Sequence, residues 1–338
     1  MEYNVTAWET VCAQLTIRAV VWDAGQVKPE RLEKELEHSG VQILETDVCK
    51  GREEAAESAY KKMIQKLRER NIPKEQALLV TENDSLADYV YSMQHKRDAG
   101  NEEQEGVSES GQREQKAAEA VEDGGAMAVV YYEKEGSRRD VLADMTVLGF
   151  EEIGIQFLDR VHKRANRLPW NILYTERTLV REITMSDLDE LYEIYEEEGI
   201  TDFTDPLFER KKEETYTRDY IRCMYYYYGY GMWIIRDRKS GRLIGRAGIN
   251  HRDEGGQVLM ELGYIISTKY QNKGYAAEVC QAIIEYAGQE LEIEQLHCFI
   301  HRMNQPSIHV AEKLGFVLQD SSYEQNGMLH FRLDLNIG

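Results

Sequence analysis

The chain has 338 residues, enough for two domains of ordinary size, and a formal net charge of -20. That acidic balance excludes a broad nucleic-acid-binding face, which needs clustered Lys and Arg, and favours a basic or amine-bearing, even cationic, partner. Five cysteines (Cys12, Cys49, Cys223, Cys280, Cys298) stand apart with no Cys-x-x-Cys pair, so no disulfide framework or metal site is predicted, and a reducing, cytoplasmic setting is. Met1 is followed by acidic Glu2 and no apolar core, and no run approaches membrane-spanning length, so neither a leader nor a membrane partner is predicted.

In chain order, Leu15 to Trp22 is rich in Val and Ile and reads as a strand. Pro29 to Ser39 reads as a helix, with Pro29 at its start and Gly40 just past its end. Val41 to Leu44 is a short strand candidate. Arg52 to Arg70 repeats Ala55, Ala56, Tyr60, Met63, Ile64 and Leu67 at helical spacing. Ala77 to Thr81 and Ala126 to Tyr132 are apolar runs, the pattern of buried parallel strands. Such alternation predicts a small doubly wound α/β layer. Between those runs lies an acidic insertion, Gln94 to Gly125, with almost no large apolar side chain; it is too polar to offset its ordering entropy. Within it, Gln112 to Val121 has some helical character.

Phe157 to Arg164 reads as the terminal helix of this layer, and Leu168-Pro169-Trp170 breaks it, because proline disfavours helix in the residue before it. Trp170 is expected to pack on one domain or the other. The predicted division is therefore 1–165, a linker at 166–174, and a second domain at 175–338.

The second half holds the most informative stretch, Gln271-Asn272-Lys273-Gly274-Tyr275-Ala276. It joins a strand-like run, Leu262 to Ile266, to a helix-like run, Ala277 to Tyr286. A strand that turns through glycine into a helix directs unpaired N–H groups and the positive helix end at one point, where a phosphate or pyrophosphate can sit. A second strand-like run, Leu296 to Ile300, is followed by Asn304-Gln305-Pro306-Ser307 and then Leu314-Gly315-Phe316.

The order strand, Gln-x-x-Gly-x-Ala, helix, strand, Asn-x-x-Ser, helix, Leu-Gly-Phe resembles the GNAT superfamily of N-acetyltransferases. Thr175 to Thr184, followed by Asp187 to Tyr192, is similar to the first strand and helix of its ribosomal-protein N-acetyltransferase branch. The resemblance covers roughly residues 171 to 338. It implies an α+β fold with a mixed, mostly antiparallel sheet and acetyl-CoA as co-substrate. Strand Glu261 to Ile266 would splay from strand Leu296 to Ile300, with Tyr264, Ile265 and Ile266 against the pantetheine and acetyl group. Gln271, Asn272, Lys273, Gly274, Tyr275 and Ala276 would wrap the pyrophosphate. Asn304 would hold the pantetheine or serve as a helix N-cap, a role Asn fills well. Ser307 would protonate the leaving thiolate; many relatives use a tyrosine at the position of Ala311. Glu261 is the candidate general base, with His251, Glu254, His301 and Glu324 in reserve.

Thr201 to Tyr230 carries Asp202, Asp205, Glu209, Glu213 and Glu214, then Tyr225-Tyr226-Tyr227-Tyr228-Gly229-Tyr230. Tyrosines with carboxylates suit a cationic amine; alternatively Thr217 to Tyr228 is a helix whose tyrosines pack on the sheet. A non-catalytic acetyl-CoA-binding module is the alternative function.

The first half resembles the haloacid-dehalogenase-like Rossmannoid fold in Ile72 to Glu82, Gly125 to Val130 and Ala143 to Val147. Active members have a first strand ending Asp-x-Asp; here it ends Trp22-Asp23-Ala24-Gly25, lacking the second aspartate. A phosphatase would need Asp23, Glu82, Asp84 and Asp144 to converge on a cation.

Overall fold

The computed structural model describes residues 15–23, 28–46, 53–102, 126–134, 140–151, 153–319 and 327–335. The chain divides into two compact units, Met1–Leu168 and Pro169–Gly338. Most of the insertion, 103–125, lies outside the described residues, as do Cys12, Cys49, Ala24, Gly25 and Glu324.

In the first unit, β1 (Ala19–Asp23), β2 (Gln42–Glu45), β3 (Ala77–Thr81), β4 (Ala128–Tyr132) and β5 (Met145–Val147) form a sheet of order β2-β1-β3-β4-β5. Every pairing is parallel. Strands β1, β3 and β4 are buried along their whole length, which is why they read as unbroken apolar runs rather than alternating ones. Helices α1 (Glu30–Ser39) and α4 (Ile155–Ala165) cover one face through Leu32, Leu36, Ile155, Leu158 and Val161. Helices α2 (Glu53–Glu69) and α3 (Asp84–Glu102) cover the other through Ala56, Met63, Leu67, Leu86 and Val90. The layer is thus doubly wound, with the 2-1-3-4-5 strand order. Pro29 and Gly40 bound α1 as predicted, Gly40 at φ 75°. Helix α3 continues to Glu102, into the first residues of the stretch read as an acidic insertion.

Among the described residues the four carboxylates that a phosphatase would need do not gather into a metal-holding cluster. Asp23 is fully buried and accepts from the hydroxyls of Thr46 and Thr81. Glu82 pairs with Lys134 at 2.8 Å, Asp84 accepts from the Tyr131 hydroxyl, and Asp144 accepts from the Val129 N–H. Each has its own local partner, and among the described residues no three of His, Cys, Asp or Glu gather as a metal site.

The second unit is built on one eight-stranded sheet of order β12-β13-β11-β10-β9-β8-β7-β6. Its strands are β6 (Asn171–Tyr174), β7 (Thr178–Arg181), β8 (Met232–Asp237), β9 (Leu243–Glu254), β10 (Gln257–Ile266), β11 (Gln295–His301), β12 (Val317–Leu318) and β13 (Met328–Asp334). All neighbours are antiparallel except β10 and β11, so the mixed, mostly antiparallel sheet is present. Residues 171–174, read from sequence as linker, are instead an edge strand paired with β7. Trp170 packs on this unit's core, and its N–H donates to Glu182.

Helices α5 (Leu188–Tyr195), α6 (Arg210–Tyr220), α7 (Tyr275–Gln289) and α8 (Gln305–Lys313) flank the sheet. The predicted helix Thr217 to Tyr228 splits: α6 ends at Tyr220, and Ile221–Tyr228 is a π-helix closed by Gly229 at φ 79°. The tyrosine run divides with it. Tyr225 is buried, its hydroxyl donating to the Met232 carbonyl, while Tyr226, Tyr227 and Tyr228 are exposed. Long π-helical runs are rare and concentrate at functional sites. The start of α5 is pinned by Asp187, which accepts from Arg181 and Arg236 at 2.6 Å each. No helix among the described residues is long and apolar enough to cross a membrane.

Candidate active site

The two central strands part. β10 pairs with β9 along ten positions from Gln257 to Ile266, and β11 pairs with β13 along seven from Gln295 to His301. Between β10 and β11 only Glu261 and His297 stand in register. Beyond them the parallel ladder stops, and Gly263 to Ile266 face β11 across a gap. A strand edge without a partner must satisfy its backbone groups elsewhere, so the gap can receive an extended ligand that pairs as a strand would. The Tyr264 ring crosses from β10 toward α8, its hydroxyl donating to the Ser307 carbonyl at 3.3 Å. This contact bridges the two arms of the opening.

At the end of β10 the chain passes through a 3-10 turn, Thr268–Tyr270, into the glycine loop. Gln271 folds back, its amide donating to the Ile266 carbonyl at 2.9 Å. Asn272 lies at φ 57° and Gly274, the N-cap of α7, at φ 82°. Left-handed backbone suits glycine, and it aims successive N–H groups the same way. Among the described residues the N–H groups of 272–276 meet no protein acceptor. The loop is braced from the β6–β7 turn. Arg177 stacks on Tyr275 at 4.1 Å, donates to the Lys273 carbonyl, and pairs with Glu278 at 2.5 Å. Burial works against the Glu278 charge, yet the bonds from Thr175 and Arg177 outweigh it and hold its pKa below the usual carboxylate range. Lys273 is exposed and donates to the Lys269 carbonyl.

Asn304 is the N-cap of α8, its side chain accepting from the Ser307 N–H at 3.2 Å, with Pro306 in the first turn. Of its two sequence-derived roles, the cap is the one the fold displays. Ser307 is partly buried in that first turn. Ile265 is partly buried; Ile266 is buried in the core.

Glu261 lies on the opposite sheet face from Leu262 and Tyr264, because strand side chains alternate. Its register partner on β9 is Asn250, which accepts from the Tyr220 hydroxyl at 2.8 Å. Arg252 approaches Glu261 at 3.4 Å while stacking on Phe299 at 3.9 Å and pairing with Glu254. Burial raises the Glu261 pKa, and the neighbouring Arg252 charge only partly offsets it. The carboxyl is therefore poised to take up a proton more readily than an exposed one. Beside it, His297 meets His330 at 2.9 Å, and burial pushes both imidazoles below their ordinary pKa.

The reserve candidates stand apart. His251 is on the other face, its ring nitrogen against the Tyr230 hydroxyl and its edge against Tyr228. His301 stacks on Phe203 at the end of β11. Glu254 is engaged by Arg252. Sequence reasoning missed Arg252, the Tyr220–Asn250 contact, the Tyr264 hydroxyl and the Arg177–Glu278 brace. None carries a local motif; each joins residues from separate segments of the chain.

A parted pair of strands thus lies beside a glycine-capped helix start, with the partly buried Glu261 carboxylate on one arm. Residues 177–317 match the family described as acetyltransferase (GNAT) domain. The second unit therefore carries a GNAT-superfamily acetyltransferase domain. Among curated proteins the chain is 34% identical over 88 residues to the uncharacterized protein YkkB of Bacillus subtilis, covering 26% of this chain and 51% of that protein, so the chain spans about half of YkkB. It is 28% identical over 154 residues to the uncharacterized N-acetyltransferase p20 of Bacillus licheniformis, covering 43% of this chain and 81% of that protein. Among solved structures, an acetyltransferase from Agrobacterium tumefaciens matches with TM-score 0.42 and 24% identity over 48% of this chain and 94% of that chain.

Proposed function

We propose that the protein moves an acetyl group from acetyl-CoA to a primary amine, either a protein N-terminus as in the ribosomal-protein branch or a small-molecule amine. The observation that carries this reading is the gap beyond Glu261 and His297, which opens toward the acceptor-free N–H groups of 272–276. These residues fit coenzyme A: Tyr264, Ile265 and Ile266 offer a strand edge to the pantetheine, and Gln271 to Ala276 offer amide donors to the pyrophosphate. Asn304 presents its side chain at the far wall while capping α8. Bound there, acetyl-CoA supplies the activated acetyl group.

Glu261 accepts the amine proton, directly or through water. Holding a lysine-like amine with pKa near 10.4 neutral at pH 7 costs about 4.6 kcal/mol, against about 1 kcal/mol for an α-amine near 7.8. The raised carboxyl pKa narrows the gap between base and amine, which is the direction a base needs. Ser307 donates the proton that the leaving thiolate requires. The Tyr264 hydroxyl is a second donor, favoured by its contact with Ser307 and by burial, which keeps it protonated.

For the first unit the reading is a haloacid-dehalogenase-like scaffold without phosphatase chemistry, because Asp23 is tied to Thr46 and Thr81.

The test is calorimetric titration with acetyl-CoA followed by thiol release across an amine panel. Uptake with transfer is expected. Uptake without transfer to any amine makes the protein a non-catalytic acetyl-CoA-binding module; no uptake removes the reading altogether.

A further inference from the structure

Arg246 is the charged group that this reaction leaves without a task. It lies on β9 in register with Ile265, on the sheet face that Glu261 and Asn250 share, and it is only partly accessible. Its guanidinium is in the electrostatic reach of the Tyr195, Tyr220 and Tyr225 hydroxyls, Tyr195 foremost. Among the described residues no carboxylate forms an ion pair with it. The carboxylates of its surroundings are directed elsewhere: Glu213, near Tyr195, accepts from the Phe208 N–H, and Glu182, near Tyr225, accepts from the Trp170 N–H.

Arginine does not discharge at any ordinary pH, so burial cannot be relieved by losing a proton. Charges taken out of water are normally paired. The tyrosines offer only dipoles, because burial keeps all three protonated, Tyr220 up to about 12. Tyr220 is also fully used, donating to Asn250 and accepting from the Met232 N–H. Tyr195, held protonated by burial, keeps its own proton to donate. A forked donor with an adjacent hydroxyl, short of an anion and on the acceptor's side of the sheet, matches a carboxylate.

We propose that Arg246 and Tyr195 bind a carboxylate carried by the acceptor, so that the acceptor is an amino carboxylate rather than a simple amine or polyamine. This rests on the acetyltransferase reading and names its substrate class. One end of the acceptor meets Arg246 while its amine turns toward Glu261. The two anchors are four strand positions apart, Ile265 to Glu261 on β10. That is about 13 Å along the strand, so amino acids of different chain length belong in the test.

With the full-length protein, thiol release is measured for matched pairs that differ only in the carboxylate: glycine and methylamine, γ-aminobutyrate and propylamine, lysine and cadaverine. At least one carboxylate-bearing member should exceed its partner by tenfold or more in kcat/KM. In Arg246→Met that preference should collapse toward unity, in Arg246→Lys it should fall partway, and in Tyr195→Phe it should weaken several-fold. Uptake of acetyl-CoA should persist in all three, which also reports that they fold. Equal use of both members, a preference that survives Arg246→Met, or acetyl-CoA uptake without transfer to any carboxylate-bearing member would overturn the proposal. Loss of acetyl-CoA uptake in the unsubstituted protein would instead overturn the reading beneath it. A second arm does not depend on turnover: γ-acetamidobutyrate, the acetylated product of one pair, should bind the unsubstituted protein and bind Arg246→Met at least tenfold more weakly.

Discussion

As the proposed base, Glu261 would link function to stability with a definite sign. Its pKa in the fold is raised, first by burial, against the pull of Arg252. The folded state therefore holds this proton more tightly than the unfolded chain does. The carboxyl's stabilising contribution is present at acid pH and is lost as pH rises from the ordinary carboxylate value, about 4.3, through the raised one. At neutral pH the ionised group is a net burden. Glu261→Gln should then do two opposite things. Turnover should fall by about 10² to 10⁴ for a lysine-like amine and far less for an α-amine, and the pH–rate profile should move upward, toward the pKa of the amine itself. The thermal midpoint at pH 7 should rise, and that gain should shrink toward pH 4. Lower activity with unchanged pH dependence, or a lower midpoint at pH 7, would mean that Glu261 is a structural partner of Arg252.

At the scale of elements, the glycine loop is held by its braces as much as by its own turn. Arg177 is separated from Glu278 by about a hundred positions, yet it fixes the first turn of α7 through three kinds of contact. Arg177→Ala should weaken acetyl-CoA binding about tenfold in calorimetry while changing turnover at saturation much less, because it frees the loop without touching the reacting groups. Gly274→Ala should act differently. The added methyl would meet Arg177 at an ordinary 3.6 Å, so the cost is backbone strain at φ 82°, about 1–2 kcal/mol, lowering stability and binding together. The loop, the Asn304 cap and the last half of β10 were legible in sequence because their signals are local: a left-handed glycine, a capping amide, a run of strand formers; the first residues of β10, from Gln257, were not read as strand. The parting of β10 from β11 was legible only through family resemblance, because it depends on which strand each edge finds. The strand at 171–174 was hidden behind Pro169, whose break says where helix α4 stops and nothing about what begins next. The π-helix was misread as plain helix, since Tyr216 and Tyr220 of α6 keep a helical spacing and nothing in the consecutive tyrosines that follow marks the change of winding. Arg246 gave no signal at all; an arginine in a strand looks solvent-facing until the covering tyrosines are in place.

For the whole molecule, the two units differ in how they are closed. The buried cluster of the second unit runs from Ile172 to Phe331 and recruits Trp170, Leu333 and Leu335, all from beyond Leu168. The clusters on the two faces of the first unit draw only on residues from Leu15 to Ala165. A domain with its own core can fold alone, and among the described residues the division at Leu168 and Pro169 severs no strand pairing. A protein of residues 169–338 is therefore expected to melt cooperatively and to take up acetyl-CoA with an affinity within about threefold of the full chain, since the gap, the glycine loop and its Arg177 brace all lie inside it. Beginning instead at residue 175 should remove β6, expose the edge of β7 and strip Trp170 from the core, lowering the thermal midpoint. Equal stability of the two truncations would show that the 171–174 strand adds nothing to the sheet. Failure of 169–338 to bind would mean that the coenzyme site needs the first unit, and the division of labour argued from the separate cores would be wrong.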